Sequence, residues 1–242
     1  MLLHGFTQSA QSWRPLEAEL GAGHQLVIPD LPGHGQSAPA AGDLAEAAAL
    51  VAADCGTGTY VGYSLGGRLA LHLALAHPEL VERLVLVGTT AGIEDLDERE
   101  QRKFADDRLA DEIEGMGDEG VPGFLDEWLA GPLFAHLTEE QADRETRLVN
   151  TAAGLASALR HLGTGGQLPL WEEVGNLEML VLVVAGEDDA KFVDAGQRLA
   201  SAIGPNALFV LAPGCGHAVP FEQPEAFSRL VVDFVVGDTA RS

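Results

Sequence analysis

The chain has 242 residues, 46% of them hydrophobic, and a formal net charge of −23 at pH 7, enough for one sizeable domain with a small insertion. That charge argues against binding nucleic acid or an anionic membrane through bulk electrostatics, because both would be repelled. Two cysteines, Cys55 and Cys215, supply neither a disulfide framework nor metal-ligand spacing, and no apolar run approaches the roughly 18 residues of a span or follows a basic leader, so a cytoplasmic protein without membrane insertion is expected.

In chain order, the apolar run Leu2-Leu3 leads into His4-Gly5-Phe6, a strand end passing into a glycine turn. Because the chain opens inside this strand, the sheet is expected to have a truncated N-terminal edge. A helix is expected over Trp13 to Leu20, a strand over Gln25 to Ile28, a turn-rich connection over Asp30 to Ser37, and a helix over Asp43 to Asp54. A strand over Thr59 to Gly62 then runs into a helix over Leu65 to His77, and another strand covers Leu84 to Gly88. No strand-like run occurs between Ala91 and Val174, where charged and apolar residues recur at helical spacing, as in Asp97 to Ile113 and Thr138 to His161. This predicts a helical cap over 91–175, with Phe124, Trp128 and Phe134 most simply as its core and its inner face lining a pocket. Strands over Leu180 to Ala185 and Ala207 to Leu211 flank a helix from Asp194 to Ile203, and a last helix spans Pro224 to Val236, with Pro224 suited to a first turn. Apolar strands alternating with helices predict an α/β core over 1–90 and 176–242, a mostly parallel sheet flanked by helices on both faces.

The chemistry concentrates at three strand ends. Gly62-Tyr63-Ser64-Leu65-Gly66 has the strand-turn-helix context that a G-x-S-x-G nucleophile turn requires, with glycines where the sharp bend leaves no room for side chains. The run Leu180 to Ala185 ends in Gly186-Glu187-Asp188-Asp189, and Ala207 to Leu211 ends in Pro213-Gly214-Cys215-Gly216-His217. Ser64, Asp189 and His217 thus stand in the order serine, acid, histidine, with Asp188 expected in solvent. Histidine would take the serine proton and the acid would fix the imidazole. The N–H groups of Phe6 and Leu65 are the expected oxyanion hole, and His4 and His34 are expected to support loops. The chain has two lysines, Lys103 and Lys191. Lys191 lies two residues past the acid and Arg68 one helical turn past the serine, so scarce cations near the chemistry suggest an anionic substrate, although both could equally balance nearby carboxylates.

On these motifs the chain resembles the α/β-hydrolase fold and, more narrowly, the 2-succinyl-6-hydroxy-2,4-cyclohexadiene-1-carboxylate synthases of menaquinone biosynthesis. The resemblance covers nearly the whole chain. It rests on Leu3 to Gln8, Asp30 to Gly35 and Gly62 to Arg68, and more specifically on Glu98-Arg99 with Arg102-Lys103 and Asp106, on Trp128 to Phe134, and on Gly186-Glu187 with Asp189, Lys191 and Phe192. It implies a lyase that eliminates pyruvate from a small substrate carrying several carboxylates, with the triad acting as a base. It also implies substrate contacts by Tyr63, Arg68, Arg102, Trp128 and Lys191, and neither cofactor nor metal. Two other classes are kept open: a carboxylesterase or other acyl hydrolase working through an acyl-enzyme, and a non-catalytic small-molecule-binding protein. No oligomeric state is assigned.

Overall fold

The computed structural model describes residues 1–237; residues 238–242, the end of the predicted core range 176–242, lie outside them. Five strands, β1 (Leu2–Leu3), β2 (Gly58–Tyr63), β3 (Val81–Val87), β4 (Leu180–Gly186) and β5 (Ala207–Ala212), form one sheet in the order β1-β2-β3-β4-β5. All four pairings are parallel, with Val61 opposite Leu2 and Val85, and Val183 opposite Leu86 and Phe209.

The strands are apolar throughout because both faces are covered, and their period of two divides the core. Leu3, Tyr60, Leu84, Leu86, Val181 and Val183 face one cluster with residues of α2 (Leu44–Cys55), α3 (Leu65–Ala76) and α8 (Ala190–Ile203). Leu2, Val61, Tyr63, Val85, Val87, Leu182 and Val184 face a second, closed by α1 (Arg14–Leu20) and α10 (Pro224–Val236). Asp43 caps α2 by accepting the Ala45 and Glu46 N–H groups at 2.9 and 3.0 Å, and Pro224 occupies the first turn of α10.

Between β3 and β4 no strand occurs among the described residues. This stretch holds α4 (Leu96–Leu129), α5 (Glu139–Ala142), α6 (Arg144–Arg147) and α7 (Ala152–Leu162). It has its own apolar cluster, in which Ile113, Phe124 and Leu125 of α4 meet Leu155 and Leu159 of α7. The short α9 (Val219–Glu222) follows β5. Among the described residues no helix is long and apolar enough to cross a membrane.

Several expectations need correction. Gln25 to Ile28 is not a strand: it runs beside the two-residue β1, which leaves it one bond, Leu2 N–H to the Val27 carbonyl at 2.9 Å. The helix expected over Asp97 to Ile113 continues to Leu129, bending at Gly117, where φ is 64°. The helix expected over Thr138 to His161 is three helices, broken by left-handed Asp143 at φ 46° and by the link from Leu148 to Thr151. The helix expected from Asp194 begins four residues earlier, at Ala190.

Candidate active site

Ser64 sits between β2 and α3 with φ 52° and ψ −109°, a backbone conformation that costs a non-glycine residue energy and persists only where its surroundings enforce it. Four bonds enforce it. The Ser64 N–H donates to the Val87 carbonyl at 2.9 Å, the Ser64 carbonyl accepts from the Arg68 N–H and the Thr89 hydroxyl, both at 3.1 Å, and the Gly66 N–H donates to the His4 carbonyl at 3.0 Å. A Cβ on Gly62 would collide with the Gly66 backbone, and one on Gly66 with the Leu3 carbonyl. The glycines let the turn close against the sheet, leaving Ser64 directed into a cavity.

The acid and the histidine come from the next strands. Asp189 is the N-cap of α8, its Oδ1 accepting the Phe192 N–H at 3.4 Å. Its Oδ2 lies 2.8 Å from His217 Nδ1, and His217 Nε2 lies 3.2 Å from Ser64 Oγ. His217 is nearly buried, between the rings of Phe192 and Tyr63 at centroid distances of 4.5 and 5.4 Å. Asp188 points outward toward His136, 3.8 Å away. The in-line Asp–His–Ser arrangement can pass the serine proton to imidazole and stabilise the resulting cation.

Phe6 and Leu65 line the same cavity as Ser64 and His217. Among the described residues the N–H groups of Gly5, Thr7 and Gln8 all have acceptors, whereas that of Phe6 has none. The N–H of Leu65, first residue of α3, is one of a helix start's unpaired donors. Two free N–H groups beside a nucleophile are what a developing oxyanion requires. The Phe6 loop is shaped by buried His4 and His34, which accept the Leu31 and Thr7 N–H groups at 3.0 and 3.2 Å. Burial pushes their pKa values down to about 4 and about 3, so both stay neutral and support the loop.

The cavity measures about 550 Å³ and is roofed by the helical segment. Arg68, Arg102, Trp128 and Lys191 all line it. Arg68 is buried, its pKa lowered to about 10 by desolvation and then by neighbouring Arg102, so it stays charged at neutral pH. It is held by an amide, Gln167 Oε1 at 3.4 Å, and has no carboxylate partner among the described residues. Arg102 differs, because its Nε donates at 2.8 Å to buried Asp106, which also accepts the Gly165 N–H at 3.2 Å. Lys191 is exposed at the rim. The Trp128 indole N–H is buried without a partner, a donor free for a ligand. Phe124 belongs to the small apolar cluster, and Trp128 packs on that cluster while also lining the cavity.

Tyr63 does not line the main cavity. It lines a side chamber of about 30 Å³ that opens beside Ser64 and His217 and is bounded by Gln8, Trp128, Phe134 and Arg147. Arg147, which borders this chamber beside Ser64 and His217, was not singled out from the sequence. Its side chain is almost fully buried, donating to the Ala142 carbonyl at 2.8 Å and the Thr7 hydroxyl at 2.5 Å, without a carboxylate partner among the described residues. Burial lowers its pKa to about 10, so it too stays charged at neutral pH. In the sequence it stands in Asp143-Arg144-Glu145-Thr146-Arg147, which reads as a solvated helix face. The one available signal was the scarcity of cations in so acidic a chain.

A model of the Alpha/beta hydrolase family matches residues 1–230. A Bacillus subtilis (strain 168) protein, provisionally named a 2-succinyl-6-hydroxy-2,4-cyclohexadiene-1-carboxylate synthase, is 37% identical over 96% of this chain and 88% of its own length. The enzyme of that name from Serratia proteamaculans (strain 568) is 30% identical over 97% of this chain and 91% of its own. The solved structure of MenH from S. aureus superposes with a TM-score of 0.91 at 28% identity, covering 98% of this chain and 93% of that one.

Proposed function

The chain belongs to the alpha/beta hydrolase family, among its 2-succinyl-6-hydroxy-2,4-cyclohexadiene-1-carboxylate synthases, and we infer that it eliminates pyruvate from 2-succinyl-5-enolpyruvyl-6-hydroxy-3-cyclohexene-1-carboxylate by base catalysis. In this proposal His217 takes the Ser64 proton, with Asp189 fixing the imidazole, and Ser64 Oγ removes the ring proton alpha to the succinyl ketone. The electron pair moves toward the ketone, whose oxygen the Phe6 and Leu65 N–H groups stabilise. Its return shifts the ring double bond and breaks the C–O bond to the enolpyruvyl group. That group leaves as the enolate, takes up a proton and becomes pyruvate, so no water is consumed and no acyl-enzyme forms.

The observation that carries the substrate class is a match of charges. Arg68, Arg147 and Lys191 have no carboxylate partner among the described residues, and the substrate brings three carboxylates. Burying two arginines without counter-ions is costly, so their retention beside the triad is explained by an anionic ligand that completes them. Arg102, already balanced by Asp106, would orient the ligand while adding little net charge, and Trp128 and Tyr63 would contribute their polar tips. We place the cap at 91–175 and the protein in the cytoplasm.

The deciding experiment measures pyruvate release from the enolpyruvyl substrate beside p-nitrophenyl ester hydrolysis. Elimination should dominate, and rapidly quenched enzyme should show unmodified mass. Comparable ester turnover with an adduct on Ser64 would establish the acyl-hydrolase alternative, which the same triad and free N–H pair would also serve.

A further inference from the structure

Glu222 takes part in none of the steps above, yet its carboxylate is tied to the backbone that carries the base. It ends α9, the helix after His217, and folds back so that Oε2 accepts the Gly216 N–H at 2.6 Å and Oε1 accepts the Ala218 N–H at 2.8 Å. These two residues flank His217. The Cys215–Gly216 peptide is tied at both ends, because its carbonyl, on Cys215, accepts the Asp188 N–H at 2.8 Å and so joins the histidine loop to the loop of the acid. We propose that Glu222 is a positioning residue for His217, its two carboxylate oxygens gripping the chain on both sides of the imidazole so that Nε2 stays directed at Ser64. This inference rests on the triad assignment made above.

The chemistry selects a carboxylate. Two converging N–H donors need two acceptors, and an ionised carboxyl offers two, whereas an amide offers one oxygen and would turn its own NH₂ toward the second donor. Charge assistance makes both bonds short and strong. Asp189 fixes one ring atom and Phe192 and Tyr63 cover the ring, but none of these contacts holds the backbone that carries the ring, which is where Glu222 acts. The helical segment reaches the same residue, with Gln141 Nε2 donating to the Glu222 carbonyl at 3.0 Å. The residue that holds the histidine loop is thus also a point of attachment for the helical segment.

The test compares Glu222→Gln and Glu222→Asp with Glu225→Gln, a control that removes an exposed carboxylate on the next helix. Two rates are read: pyruvate formation, and labelling of Ser64 by a fluorophosphonate, which needs the histidine as base whatever the natural substrate is. A reacting group displaced by about 1 Å costs on the order of 100-fold, so Glu222→Gln should lower kcat and the labelling rate together by about 10- to 100-fold, with KM changed by less than about 3-fold. Glu222→Asp, which keeps both oxygens on a shorter arm, should fall between, and Glu225→Gln should match the wild type. Wild-type kcat and labelling in Glu222→Gln, or a change confined to KM or to the unfolding temperature, would overturn the proposal. Should the glutamine variant not fold, wild-type rates in Glu222→Asp would overturn it equally. If the wild type labels normally yet forms no pyruvate, the lyase assignment fails while the labelling ratios still decide the role of Glu222.

Discussion

The two halves of the site are built differently. Ser64, Asp189 and His217 hang from the ends of parallel strands, each fixed by backbone bonds to its neighbours, such as Ser64 N–H to Val87 and Asp188 N–H to Cys215. Trp128, Arg102 and Arg147 hang from helices packed on a small cluster of their own, which meets the core at the site through Phe6. Reacting atoms need tolerances of a few tenths of an ångström, which a buried sheet supplies, while recognition of carboxylates by long cationic side chains tolerates a helical support. The reacting groups thus hang on the sheet-borne half, while the two buried arginines are divided between the halves, Arg68 on α3 and Arg147 on α6.

The largest test of that division is Ser64→Ala. If the hydroxyl is the proton-abstracting group, kcat should fall by about 10³-fold or more with KM within a few-fold, since binding is provided elsewhere. Steady-state pyruvate release checks this, and most of the activity surviving in a folded variant would remove the base from the sheet-borne half.

Next come the two buried arginines, one from each half. Each loses a charge-assisted interaction of about 1.5–3 kcal/mol on truncation, so Arg68→Ala and Arg147→Ala should each lower kcat/KM by about 10- to 100-fold. Because they face different compartments, the main cavity and the side chamber, the double variant should lose about the product of the two. A double variant no worse than either single one would mean that both hold the same carboxylate. Lysine at either position should restore only part of the loss, since a point charge cannot reproduce the planar fork.

The same contrast decides what could be read from the residues alone. Strand ends are announced by apolar runs that stop at glycine, so the positions of Ser64, Asp189, His217 and Phe6, which the fold brings to one cavity or its edge, were legible at single-residue precision. Arg147 was not. Whether a charged residue at helical spacing points to solvent or inward depends on the helix phase, and the left-handed turn at Asp143 resets that phase in a stretch that reads as one helix. Tyr63 was expected beside the ligand from the resemblance alone, and its place in the wall of a separate chamber was not legible, because side-chain direction beside a strained turn follows from packing. The strand expected at Gln25 to Ile28 failed for a related reason: its pattern is right, but a two-residue neighbour gives it almost nothing to pair with.

Acid should probe the loop that carries Phe6. His4 and His34 are held near pKa 4 and 3 in the fold, against about 6.5 when unfolded. Below about pH 6.5 the unfolded chain therefore takes up protons that the folded chain refuses, and stability falls as pH drops toward 4; above 6.5 these residues add no slope. At full extent His4 contributes on the order of 3 kcal/mol to the acid limb and His34 on the order of 5 kcal/mol. Urea unfolding at pH 7 and pH 5 should show the loss, and His34→Gln should flatten it. An unchanged slope in that variant would mean that His34 is already solvated and that the loop is looser than its bonds indicate.

The smallest effects are expected where cations meet solvent, and they sharpen the claim that burial decides which charges matter. Lys191 shares the cavity with Arg68 but stands exposed at its rim, where an ion pair is worth about 0.2–1 kcal/mol, so Lys191→Ala should change kcat/KM by only about 2- to 5-fold. That small effect should be the most salt-sensitive of all, shrinking as ionic strength rises, because an exposed charge acts by steering a polyanionic substrate toward a protein of net charge −23. Arg229, exposed on α10 and outside the cavity, should show no effect at any salt concentration. Measuring kcat/KM for Lys191→Ala, Arg68→Ala and Arg229→Ala across a salt series separates the cases. A Lys191 loss as large and as salt-resistant as that of Arg68 would mean that the rim closes over bound substrate and desolvates the ammonium, whereas equal and small losses at all three positions would mean that these cations only balance the acidic surface, and the anionic-substrate assignment would fall with them.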